Sequence, residues 1–342
     1  MSDPHSDAGD RPATIHEGTA REAPDDAPGI PRRGSRIFSL EDRAAPGLYL
    51  VGWLGTVIGL GIVGIAGLST GNAGPLLISG LIVLALGLLA AAGAQALERS
   101  RRRDLAYRGP SPWLVFAAVV PLTVLAVVAV LVPLGRLGLD PLSPTATAVG
   151  LAATALVYAS AVRLLVVGTG ALRWADMGLS LPPRQVLVDL VYGASFGVPV
   201  IFVTGLLAAF LQLFLSLPPS PLPAASDATG VVANLASAVV IAPIGEELFF
   251  RGFATTAWAR TAGPRAAIVR GALFFAFAHV VTLFDTDFAM GFQRALFAFL
   301  VRIPVGLVLG WVYLNRRSLP ASIGTHATFN GVTLLLQVLV TR

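Results

Sequence analysis

The stretch LYLVGWLGTVIGLGIVGIAGLSTGNAGPLLISGLIVLALGLLAAAGAQAL, residues 48–97, contains no charged side chain. Its turn, Gly71-Asn72-Ala73-Gly74-Pro75, divides it into two apolar runs of about 20 residues, the length at which a helix crosses the hydrocarbon of a bilayer. The runs are continuous rather than alternating, which argues against strands. Further uncharged runs cover residues 113–135, 141–162, 190–226, 228–245, 271–284, 303–315 and 318–341. Hydrophobic residues make up 55% of the chain and charged residues 13%, with a mean hydropathy of +0.76. These values lie outside the soluble range. The expected fold is all-α, a polytopic membrane protein with eight or nine transmembrane helices; residues 288–302 are the ambiguous part of that count.

Residues 1–46 differ in kind. They are rich in Asp, Glu, Arg, Pro, Gly and Ala with few large apolar side chains, and so are expected to form a disordered cytoplasmic tail. His5 and His16 belong to it and are read as solvated. No apolar stretch follows the start, so no signal peptide is expected. The expected division of the remainder is a four-helix membrane region, 47–185, followed by a catalytic membrane domain, 186–342. The absence of cysteine excludes disulfides, thiolate metal sites and a cysteine nucleophile.

All 24 basic residues are arginines, and they alternate between loops. Arg32, Arg33, Arg36 and Arg43 precede the first span; Arg99, Arg101, Arg102, Arg103 and Arg108 follow the second. Later clusters are Arg173 with Arg184, then Arg260, Arg265 and Arg270, then Arg316 with Arg317. The intervening loops hold only Arg136. The positive-inside rule therefore puts the N-terminus and the basic loops in the cytoplasm. Such a chain is expected to meet anionic lipid headgroups of the bilayer, not nucleic acid.

Against this apolar background stands Ala-Pro-Ile-Gly-Glu246-Glu247-Leu-Phe-Phe-Arg251, which holds the only glutamates after Glu98. An ionisable side chain in hydrocarbon is costly and marks a site more often than a packing choice. On a helix the two carboxylates project about 100° apart. Arg251, four residues after Glu247, is its natural partner, leaving Glu246 to face a cavity. Pro243 and Gly245 favour a kink just before the pair. The bland alternative is a buried ion-pair network that only holds helices together. Phe275-Ala-Phe-Ala-His279 places a ring and an imidazole on one face of the next helix. His326-Ala-Thr-Phe-Asn330 does the same for an imidazole and an amide, which suits an oxyanion; an interhelical hydrogen bond is the competing reading. At 1.5 Å per residue from the nearest arginines, both histidines lie roughly 12–14 Å into the membrane, and Glu246 between about 8 and 21 Å.

Two decoys are set aside. Gly59-Leu-Gly61-Ile-Val-Gly64 matches a dinucleotide fingerprint but sits inside a span, where close helix packing explains it better. Gly193-Ala-Ser195-Phe-Gly197 matches a nucleophile elbow but is also intrahelical.

Glu-Glu-x-x-x-Arg, Phe-x-x-x-His and His-x-x-x-Asn, in this order on separate membrane helices, resemble the CPBP family of type II CAAX-processing proteases and bacteriocin-processing or immunity proteins. The resemblance covers roughly residues 190–340, and all three motifs are complete. It implies that Glu246 activates water with help from His279, that His326 and Asn330 stabilise the oxyanion, and that Glu247 and Arg251 support the site. A carboxylate in a partly dry pocket is a useful base near neutrality. The implied function is an intramembrane endopeptidase acting on a peptide or membrane-protein substrate in a bacterial plasma membrane. The alternatives are a non-catalytic immunity or scaffold protein and a proton-coupled transporter. No cofactor is expected, although one carboxylate and two histidines could ligate a zinc ion.

Overall fold

The computed structural model describes residues 40, 43–281, 283, 285 and 287–341. The expected tail therefore falls almost wholly outside the described residues. Among the described residues nine longer helices follow in order: α1 Pro46–Leu68, α2 Gly74–Ser100, α3 Pro112–Arg136, α4 Pro144–Val167, α5 Pro183–Leu211, α6 Ala228–Ala262, α7 Pro264–Ala278, α8 Phe288–Arg316 and α9 Leu319–Thr341. There is no strand among the described residues. Seven of them, α1 to α6 and α8, are long and apolar enough to cross a membrane, and the chain is a multi-pass membrane protein. The ambiguous residues 288–302 are the first half of α8, which runs on through Pro304.

Glycines set the closest helix approaches. In α1, a Cβ on Gly55 would lie 2.8 Å from the Gly87 backbone of α2, and one on Gly52 2.8 Å from Ala91. The Gly59 of the dinucleotide-like pattern belongs to this same seam, against Leu84. Between α5 and α9, a Cβ on Gly193 would overlap the Ala321 carbonyl, and one on Gly324 the carbonyl of Leu190. Thr325 Oγ1 donates to the Gly193 carbonyl across that seam at 2.8 Å, which fixes the neighbouring His326. Ser195, in the elbow-like pattern, donates to Tyr192 of its own helix.

The sixth helix is the centre of the bundle, packed by α4, α7, α8 and α9. Its Phe249, Phe250 and Phe253 are almost fully buried. Phe249 and Phe250 meet Phe116 of α3, Tyr158 of α4 and Phe274 of α7 as tilted, stacked and edge ring pairs, and Phe253 lies edge-on to Phe249. Gly263, with φ +81°, and Pro264 turn the chain sharply into α7. This helix has only 15 residues, about 22 Å, and so falls short of a full span.

The arginine-rich ends gather on one face of the bundle. There Arg260 at the end of α6 pairs with Asp176 of the α4–α5 loop at 3.2 Å, and Arg173 holds the same carboxylate. Arg316 of α8 pairs with Asp189 of α5. Burial opposes ionisation of Asp176, but the Arg173 hydrogen bonds and the Arg260 charge outweigh it and hold this carboxyl below its ordinary range.

Two outcomes are expected in thermal unfolding of the purified protein. Gly193→Val should destabilise by about 1–3 kcal/mol or more, because its side chain meets backbone rather than a movable group. Gly205→Ala, on the same helix where nothing lies within 4 Å, should be tolerated. Asp176→Asn should cost about 0.5–1 kcal/mol near neutrality. A depressed carboxyl stabilises the fold above its unfolded pKa and loses that contribution as pH falls, so wild type and variant should converge in acid.

Candidate active site in the membrane

Both glutamates lie on α6 between two widened π-helical segments, Ala236–Ile241 and Leu248–Thr255. The first ends at a proline, after the N–H of Ala242 bonds the Ser237 carbonyl. In a π turn the N–H of residue 243 would bond the carbonyl of residue 238, but residue 243 is proline and has no N–H. The Ala238 carbonyl instead accepts from Asn330 Nδ2 of α9 at 3.0 Å. The expected irregularity before the pair is therefore present, and the carbonyl it opens is used to dock α9.

The second glutamate is the anchored one. Glu247 Oε1 accepts from Arg251 Nη1 at 2.9 Å and from His326 Nδ1 at 2.8 Å. The side chains of Glu247 and Arg251 are 0% exposed. The guanidinium also donates through Nη2 to the Gly306 carbonyl of α8 at 3.4 Å and lies 4.3 Å from the centre of the Phe275 ring of α7. The i, i+4 pairing read from the sequence is this contact.

Glu246 is turned the other way. Its Oε2 lies 3.7 Å from His279 Nε2 and 3.9 Å from His326 Nε2, and has no hydrogen-bond partner of its own. About a fifth of the side chain is exposed. His279 caps the end of α7, and its Nδ1–H donates to the Phe275 carbonyl at 2.8 Å. The Phe275 ring lies 4.4 Å from the His279 ring and edge-on to His326 at 5.7 Å, so one phenylalanine orients both imidazoles.

The acceptors fix the tautomers. A carbonyl and a carboxylate only accept, so both Nδ1 atoms carry hydrogen. Each ring then turns Nε2 toward Glu246, and two ring nitrogens and a carboxylate oxygen converge on one point. A water there has two hydrogens, so it can donate to two of the three, one of them Glu246 Oε2. Asn330 shares a side of α9 with His326, but one of its two amide hydrogens is taken by Ala238. Three participants were missed in the sequence: the Ala238 and Gly306 carbonyls, and Arg302 of α8. Only the last had a sequence signal, a lone arginine within an apolar run.

Zinc fits this arrangement poorly. A tetrahedral ion with bonds near 2.0–2.1 Å holds neighbouring donors about 3.3 Å apart, whereas the carboxylate–imidazole separations here are 3.7 and 3.9 Å. No cluster of three or more metal-ligating side chains occurs among the described residues.

No curated protein and no solved structure matches the chain. Residues 228–332, from the start of α6 into α9, match the family described as type II CAAX prenyl endopeptidase Rce1-like. That segment carries Glu246, Glu247, Arg251, His279, His326 and Asn330 together, and its match is in line with the resemblance of the three motifs to the CPBP family.

Proposed function

We propose that the chain hydrolyses a peptide bond of a membrane-associated or lipid-anchored peptide, using water activated by Glu246. The observation that supports this most is the convergence of Glu246 Oε2 with two imidazole Nε2 atoms, 3.7 and 3.9 Å away, between side chains that keep some exposure. Glu246 takes a proton from water as its oxygen attacks the scissile carbonyl. The C–O bond forms, the carbonyl becomes a tetrahedral oxyanion, and the C–N bond then breaks as the nitrogen receives the proton. To donate to the oxyanion from Nε2, His326 must hold a second proton, and two carboxylates flank its ring. Asn330 contributes its remaining amide hydrogen. Glu247 and Arg251 position His326 and do not touch substrate. No step is routed through a metal. The arginine-rich end faces a bacterial cytoplasm, as the positive-inside rule directs, so substrate enters from that leaflet.

Glu246→Gln should lower cleavage by about 10² to 10⁴-fold, the range of a lost general base, with unfolding temperature near that of wild type. The readout is the set of membrane peptides that accumulate uncut in cells carrying the variant. Binding or protection by wild type without any cleavage would support a scaffold instead, and lost proton-coupled uptake a transporter.

Glu247→Gln should act differently. It leaves Arg251 buried without a counter-charge and should cost about 3–5 kcal/mol of stability, read as a large fall in unfolding temperature.

Cleavage by the purified protein should survive strong chelators. Loss on chelation with recovery on adding zinc would overturn the metal-free route.

A further inference from the structure

Arg302 lies inside α8, 14 residues before Arg316, or about 21 Å along the helix from the arginine-rich end. The other arginines inside this half of the bundle are paired: Arg251 with Glu247, and Arg294 with Asp285. Among the described residues Arg302 has no carboxylate within 4 Å. Its one hydrogen bond among them runs from Nη1 to the carbonyl of Ala298 at 2.9 Å. An unpaired cation at this depth is costly and is normally retained for a ligand or a pathway.

Its place relative to the pocket follows from the packing of α7 on α8. A Cβ on Gly306 would lie 3.0–3.2 Å from Ala272, and one on Gly310 3.5 Å from Ile268. One turn further in this antiparallel register, Arg302 stands opposite Ala276. Helical side chains lean towards the N-terminus of their helix, here towards Ala298, which carries the guanidinium to the level of His279. Arg302 accordingly interacts electrostatically with both Glu246 and His279. A guanidinium thus stands beside the pocket without being tied to the catalytic carboxylate.

We propose that Arg302 is a carboxylate-binding subsite, gripping an anionic group of the peptide substrate on the α7–α8 side of the pocket. A planar guanidinium matches a carboxylate in two-point geometry, and the apolar surroundings strengthen the pair. A peptide carries that group at its C-terminus or on an Asp or Glu side chain. This reading rests on a peptide occupying the pocket, not on its being cut.

Binding to the full-length Glu246→Gln protein in lipid nanodiscs separates the two questions. The probes are three farnesylated heptapeptides: one with a free C-terminal carboxylate, its C-terminal amide twin, and an amide carrying one Glu. The free-carboxylate probe or the Glu probe should bind about tenfold or more tightly than the plain amide. Whichever does so names the source of the group. Adding Arg302→Gln should erase the preference, and Arg302→Lys should restore part of it. Equal affinity for all three probes, or no binding of any, overturns the proposal, as does a preference that survives Arg302→Gln. A carboxylate preference with no cleavage by wild type would leave the subsite standing and remove the protease.

Discussion

Everything around the candidate site depends on one buried ion pair, Glu247 with Arg251. Two side chains with no exposure would be intolerable in hydrocarbon as separate charges. Their partners come from four helices: the pair itself from α6, the Phe275 ring from α7, the Gly306 carbonyl from α8 and His326 from α9. Satisfying one charge therefore fixes the positions of three neighbours. The network is not saturated, since Glu247 Oε2 and Arg251 Nε have no partner. A buried pair of this kind is weak evidence for net stability. What it does is hold one imidazole in a single orientation and tautomer.

That constraint divides the work of two adjacent residues. The 100° turn between Glu246 and Glu247 puts one carboxylate into the ion pair and the other into the pocket. Both rings meet Phe275, and both direct Nε2 at Glu246. Glu246 is held by geometry around it rather than by bonds to it: its Oε2 is buried and has no hydrogen-bond partner among the described residues.

Much of this was legible in the sequence where the cause is local. The i, i+4 rule paired Glu247 with Arg251 and put Phe275 beside His279, and charge-free runs located the helices. Contacts that depend on a neighbouring helix were not legible. The spacing of His326 and Asn330 put both on one side of α9, but not that Asn330 would donate to Ala238; that bond needs a π turn, a proline and a second helix at once. The unity of α8 was obscured because Arg294, Arg302 and Pro304 look like breaks in a span. Asp285 neutralises Arg294, and Pro304 is absorbed within the helix.

The site is built where helices are imperfect, and this has a physical reason. Regular membrane helices use up their own N–H and C=O groups and offer none for chemistry. Here the exceptions are the π segments of α6 and the end of α7. At that end the backbone N–H of His279 turns to Phe277, which leaves the Phe275 carbonyl without a main-chain donor. The imidazole supplies it through Nδ1–H. One bond thus caps a helix that stops short of a full span and fixes the tautomer that directs Nε2 at Glu246. The requirement that no backbone group go unpaired in lipid is what puts the imidazole in its working orientation.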